Sequence, residues 1–213
     1  MPLSHISKLG GDLKLGFWQM SESSEALLKI SSLHAYELND FAAINHEKHK
    51  KQWLSTRLLA QEMCGENAQI YYDDYRKPHC FGFGGISISH SGDYALLATH
   101  KNNPIGVDIE LISEKIIRIK DKFISSEEEE LFKHFGNEKL FMFYHLVWSF
   151  KEAAFKLYGK KGLIFKKHII LKELQTDKMN TINGVLIINN EEVEITGNFL
   201  FIGGYVICTC QYK

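Results

Sequence analysis

An α+β fold in two halves is what this 213-residue sequence predicts, and three observations carry the prediction. The composition is that of an ordinary globular chain, with 45% hydrophobic and 24% charged residues, which supports a buried core and excludes disordered, collagen-like and disulfide-scaffold classes. Period-2 and helical apolar patterns follow one another as strand, helix, hairpin in the first part and strand, helix, meander in the second. Three prolines and no Gly/Ser-rich or Pro-rich tract leave no flexible linker. Two tightly packed halves, 1–103 and 104–213, are therefore expected, each a small antiparallel sheet with a long helix. No internal sequence repeat is visible.

Taken in chain order, residues 14–20 read as a strand and 21–30 as a helix capped by Ser21 or Ser23. Residues 38–65 form one long helical region that stops at Gly65. Runs 86–89 and 94–100 flank Ser91-Gly92-Asp93, whose turn chemistry makes them a hairpin. Pro104 and Gly106 introduce a strand over 107–111. Ser125 or Ser126 followed by Glu127 to Glu130 is a helix start, since hydroxyl caps and early carboxylates suit the positive end of the helix dipole. The longest helix runs from a cap at Asn137 through Leu146, Phe150, Ala153, Ala154 and Leu157 to Gly159. Beyond Ile169 the pattern turns to β, with runs 184–188, 192–195 and 199–208 as a meander and Asn189-Asn190 at a turn.

Charge and cysteine use narrow the partners. With 25 Lys+Arg against 26 Asp+Glu, the net charge of -1 provides no long-range field for a polyanion, so nucleic acid is not an expected partner. Residues 1–20 lack the apolar core of a signal peptide, and the most apolar stretch, 199–210, is too short for a membrane helix and holds two glycines. A soluble cytoplasmic protein is expected, without a membrane partner. Cys64, Cys80, Cys208 and Cys210 include no CxxC pair, which predicts buried reduced thiols and no structural metal.

The chemistry is concentrated in three segments. Asp108-Ile109-Glu110 places both carboxylates on one face of a strand, about 6.5–7 Å apart. Taken alone, such a pair also describes a solvated strand face. Trp148, Glu152 and Lys156 are spaced by four and share one stripe of the long helix, where Glu152 and Lys156 would make a favourable ion pair on any exposed helix. Ile88-Ser89-His90-Ser91-Gly92 gathers hydroxyls, a histidine and backbone amides at a turn, a combination suited to phosphate oxygens. Mg²⁺ favours carboxylates together with substrate phosphate oxygens and water, so these parts make a coherent pyrophosphate site. Gly82-Phe83-Gly84-Gly85 is not a nucleotide-binding P-loop, because no Lys-Ser/Thr follows and a strand comes next.

Lys77-Pro78, Ile88-Ser89-His90-Ser91, Gly106-Val107-Asp108-Ile109-Glu110 and Trp148-Ser149-Phe150-Lys151-Glu152-Ala153-Ala154-Phe155-Lys156 resemble, in order and approximate spacing, the successive motifs of the phosphopantetheinyl transferases. The length resembles the larger branch of that family, in which two similar α/β halves lie in one monomeric chain with the active site between them. The resemblance implies a reaction in which the 4'-phosphopantetheine arm of coenzyme A passes to a serine of an apo acyl or peptidyl carrier protein, releasing adenosine 3',5'-bisphosphate. It implies that Asp108, Glu110 and Glu152 bind Mg²⁺, that Lys156 and His90 contact the coenzyme phosphates, and that Ser89 and Lys77 lie against the nucleotide. The resemblance likewise implies that Glu152 and Lys156 are the catalytic residues. Lys48, Lys51 and Arg57 are the candidates for the 3'-phosphate. The carrier is expected to dock through a helix against apolar side chains around Phe123 and Phe132, away from the acids at 127–130. A hydrolase or another transferase acting on a different pyrophosphate-containing nucleotide would use the same three acids.

Overall fold

The computed structural model describes residues 3–8, 12–131, 136–176 and 180–213. Helices and antiparallel sheets make an α+β fold with two compact units, Met1–Asp74 with Pro78–Asn103 and Tyr75–Lys77 with Pro104–Lys213.

The first unit holds β1 (Leu3–Lys8), β2 (Leu13–Gln19), α1 (Ser24–Ile30), α2 (Ala35–Ala42), α3 (Glu47–Cys64), β3 (Ile70–Tyr72), β4 (Pro78–Cys80), β5 (Gly85–Ser91) and β6 (Tyr94–His100). Its main sheet has the order β1-β2-β6-β5, and β3 pairs with β4 separately. Ser23 caps α1 by accepting from the Ala26 N–H. On α3 the spacing of Leu54, Leu58, Leu59 and Met63 forms one apolar face, buried with Trp18, Leu27, Ile86 and Leu97. A Cβ at Gly16 would stand 2.3 Å from the Met63 sulfur, so α3 packs its Met63 and Leu59 side chains directly over this glycine, and a larger residue would make them move.

The single helix expected over 38–65 is in fact two. Ala43 still bonds back to Asn39, and Ile44 to Phe41, but His46 is extended at φ -89°, ψ 129° before α3 begins. Asn45 immediately precedes it, and asparagine side chains compete with helical backbone bonds. The break turns the start of α3 into the wall of a cavity described below.

The second unit contains β7 (Gly106–Leu111), two short 3₁₀ turns (Glu114–Arg118 and Lys120–Lys122), α4 (Ser126–Glu130), α5 (Gly136–Tyr158), α6 (Phe165–His168), β8 (Ile169–Gln175), β9 (Thr181–Ile188), β10 (Glu191–Ile202) and β11 (Tyr205–Tyr212). Its five strands lie in the order β7-β11-β10-β9-β8. Leu146, Val147, Phe150, Ala153, Ala154 and Leu157 of α5 are buried in the core shared with these strands. Asn137 is inside α5 instead of capping it. The run expected over 199–208 is interrupted: Gly203 and Gly204, at φ 55° and 82°, turn β10 back into β11. Asn189 and Asn190 take φ 52° and 67°, the left-handed pair that a two-residue hairpin needs. All four cysteines are free thiols, with Cys80, Cys208 and Cys210 buried and Cys64 partly so. Among the described residues, no helix is long and apolar enough to cross a membrane.

Candidate active site

The second unit builds a strand–helix joint. A Cβ at Gly106 would fall 1.8 Å from the Ala153 carbonyl oxygen, so the start of β7 lies directly on the backbone of α5. That approach brings the two acids of β7 beside the polar stripe of the helix. The Lys156 ammonium donates to Asp108 Oδ1 at 2.7 Å and to the Val107 carbonyl at 3.1 Å. The Trp148 indole N–H donates to Glu110 Oε1 at 2.9 Å. Asp108 is only 3% exposed and Glu110 is partly buried, so the two carboxylates differ in their access to solvent. Burial raises the Glu152 carboxyl to about 7, with the Asp108 and Glu110 charges adding to the rise and Lys156 opposing it. Near neutral pH this carboxyl can therefore hold or accept a proton, which an ordinary surface glutamate cannot do.

The donors suit Mg²⁺. Asp108, Glu110 and Glu152 offer hard carboxylate oxygens, and the upward push that the first two exert on Glu152 is the like-charge crowding that a divalent cation relieves. Among the described residues, no group of three or more His, Cys, Asp or Glu side chains is gathered into a metal cage. Mg²⁺ does not need one, because it keeps several waters and combines one or two carboxylates with substrate phosphates.

Lys77 has a local partner that its sequence did not indicate. Its ammonium donates to the Leu157 carbonyl at 2.6 Å, at the C-terminal end of α5 where a cation is favoured. Phe123, expected on a docking surface, is fully buried and cannot present its ring to a partner; Phe132 lies outside the described residues.

The first unit holds a cavity of about 400 Å³. Its walls include Arg57, His46, His49 and His90 together with the rings of Trp53 and Tyr72, and among the described residues no carboxylate lines it. Buried Arg57 lies with its guanidinium carbon 3.6 Å from the Trp53 ring centroid, and its Nε is 3.5 Å from Glu37 Oε1 of α2. Thr56 donates its hydroxyl to the Gln52 carbonyl at 2.8 Å, so its oxygen accepts the His90 Nε2–H across 3.0 Å. Ser89 is buried on β5 beside His90. Of the three basic residues expected near a phosphate, Arg57 lines the cavity, whereas Lys48 and Lys51 do not. His46, His49, Trp53 and Tyr72 were not singled out from the sequence. They meet through the α2–α3 break and the short β3 strand, and no local motif marks either.

The strand, the polar stripe and the fold that joins them define a class of protein that sequence comparison also finds. The family model of the 4'-phosphopantetheinyl transferase superfamily matches residues 104–210, half of the chain, and the chain belongs to that superfamily. It is 39% identical over 76 residues to "4'-phosphopantetheinyl transferase psf-1" of Bacillus pumilus, covering 35% of this chain and 32% of that protein. It is 34% identical over 96 residues to "4'-phosphopantetheinyl transferase gsp" of Aneurinibacillus migulanus, covering 45% and 40%. A longer similarity, 27% over 167 residues, joins it to the "L-aminoadipate-semialdehyde dehydrogenase-phosphopantetheinyl transferase" of Mus musculus, covering 68% and 53%. The chain thus spans about a third to a half of the length of these curated relatives.

Proposed function

We propose that this chain transfers the 4'-phosphopantetheine arm of coenzyme A to a serine of an apo carrier protein, with Mg²⁺, releasing adenosine 3',5'-bisphosphate. The observation that carries this reading is the joint of Asp108, Glu110, Glu152 and Lys156 at β7 and α5, within the segment that matches the family. Mg²⁺, held by Asp108, Glu110 and Glu152, would neutralise pyrophosphate charge and orient it. The serine oxygen forms its bond to the phosphorus that carries the pantetheine arm, and the bond from that phosphorus to the bridging oxygen of the nucleotide breaks. The electron pair leaves with adenosine 3',5'-bisphosphate. Lys156 supplies fixed positive charge for the phosphate oxygens, which in phosphoryl transfer is most of what a protein contributes. The serine proton goes to a carboxylate of the same joint, and Glu152, one helical turn from Lys156 on α5, is the residue we assign to receive it.

The nucleotide end of the coenzyme suits the first unit's cavity. Arg57, His46, His49 and His90 offer donors for phosphate oxygens, and Trp53 and Tyr72 offer flat apolar faces for a base. Lys48 and Lys51 remain candidates for a more peripheral contact with the 3'-phosphate. The deciding experiment mixes the protein with coenzyme A, Mg²⁺ and an apo carrier protein and weighs the carrier by mass spectrometry. A phosphopantetheinyl gain on the carrier serine is expected; no gain at saturating coenzyme and metal would overturn the reading.

A further inference from the structure

The Glu110 carboxylate is held from α5 by a side chain with no charge of its own. Trp148 donates its indole N–H to Glu110 Oε1 at 2.9 Å. The indole is itself gripped by two rings, Phe123 edge-on at 5.0 Å between centroids and Phe165 tilted at 5.4 Å. These two rings come from separate parts of the second unit, the turn before α4 and the start of α6. One buried side chain ties both backbones. The Lys151 ammonium donates to the Phe123 carbonyl at 2.6 Å and to the Phe165 carbonyl at 3.3 Å, and pairs with Glu128 at 2.8 Å. Glu128 in turn accepts the backbone N–H groups of Ser125 and Leu171 at 2.9 and 2.8 Å. Lys151 is one residue from Glu152 and three from Trp148, so α5 carries the tie, the gripped ring and the acid within two turns.

We propose that Trp148 is a positioning residue for Glu110: the Phe123–Phe165 clamp, tied by Lys151, fixes the indole so that its N–H sets the direction of the carboxylate. The physical case is one of degrees of freedom. A glutamate on a strand has three side-chain torsions, and a metal-holding carboxylate must keep its direction within narrow limits. A charge-assisted bond from a donor that cannot itself turn removes that freedom without placing a second cation beside Lys156. The indole is suited to the task because it donates only, and its flat faces can be packed on both sides. This inference rests on the transferase reading for its functional consequence, although the clamp and the bond do not.

Nuclear magnetic resonance of the metal-free protein tests the bond. The chain has three tryptophans, Trp18, Trp53 and Trp148, and the indole signal of Trp148 is identified by its through-space contacts to the Phe123 and Phe165 rings. Glu110→Gln weakens the acceptor and should move the Trp148 indole N–H upfield while leaving Trp18 and Trp53 in place. Phe165→Leu, which loosens the clamp but keeps the N–H, should move the same signal and speed its exchange with solvent. If the Trp148 signal ignores Glu110→Gln, the proposal is overturned. Calorimetric titration of Mg²⁺ in the presence of coenzyme A tests the consequence. Trp148→Phe keeps a ring and deletes the N–H, and should weaken metal binding roughly tenfold or more. The same change made in Glu110→Gln should have no further effect. Equal losses in both backgrounds would show that Trp148 acts on something other than Glu110. If the wild-type protein binds no Mg²⁺ and modifies no carrier, the transferase reading fails, while the metal-free spectra still decide whether Trp148 holds Glu110.

Discussion

The acidic joint of the second unit and the basic cavity of the first are built by opposite means. The joint is crowded: glycine backbone lies on helix backbone at Gly106, Asp108 is buried against Lys156, and a fully buried Lys151–Glu128 pair lies behind. The cavity is open space left where a helix breaks, with the Arg57 guanidinium stacked on Trp53 in its wall. Crowding preorganises charge, whereas open space admits a ligand. The difference predicts that substitutions in the joint act on stability and turnover, and those in the cavity on coenzyme binding.

The largest effect is expected from Lys151→Met, which leaves Glu128 buried without its counter-charge and should cost about 3–5 kcal/mol in urea unfolding. Adding Glu128→Gln should recover part of that loss. If Lys151→Met is as stable as wild type, the joint is not held by its buried pair. Next in size is Lys156→Ala. The loss of a fixed electrostatic donor should reduce kcat by about 10² to 10³ with a smaller change in coenzyme affinity, and Lys156→Arg should restore some of it. Steady-state rates separate the outcomes: a rise in KM alone would move Lys156 from the transition state to simple binding.

What was legible in the sequence follows the same division. Asp108, Glu110, Trp148, Glu152 and Lys156 lie on two regular elements, where period 2 and period 3.6 convert spacing into a shared face without any tertiary information. The turns at Asn189-Asn190 and at the end of α5 were legible because left-handed backbone selects asparagine and glycine. The cavity was hidden because residues 43–46 leave the helix through a choice between local bonds, and such choices are settled by packing. Before the acidic run 127–130, a hydroxyl cap at Ser125 or Ser126 was readable as a helix start, and the structure puts the cap on Ser125 in a capping box with Glu128. That Glu128 is 1% exposed and paired with Lys151 was not, since a glutamate's partner 23 residues away leaves no local trace.

A more moderate effect should come from Arg57→Lys in the cavity. Lysine keeps the charge but loses the flat face over Trp53 and the forked donor geometry. Forfeiting a cation–π contact of this kind should raise KM for coenzyme A roughly three- to tenfold, with kcat little changed. Coenzyme A lacking its 3'-phosphate should show a smaller loss if Arg57 meets that group. A fall in kcat with unchanged KM would erase the contrast between cavity and joint.

The smallest predicted effect concerns His145, which lies on α5 in the crowded unit and is 4% exposed. Its Nε2 is 2.8 Å from both the Ser113 nitrogen and the Ser113 carbonyl oxygen. Burial lowers its pKa below the ordinary histidine value of 6.5, and the backbone bond to Ser113 only partly opposes that. A histidine with a depressed folded pKa is neutral in the folded chain, while the unfolded chain takes up a proton once the pH falls below about 6.5. Stability from this group is therefore complete above about 6.5 and is lost as the pH falls toward the folded pKa, by at most about 1.4 kcal/mol for each unit crossed. His145→Gln, which retains donor and acceptor atoms, should flatten that part of the acid slope. The two proteins would be unfolded in urea at a series of pH values between 5 and 8, and their difference isolates His145 from the other histidines. Parallel curves would mean that the interior around Ser113 accepts the imidazolium without cost, and that the second unit is less tightly closed there than at Asp108.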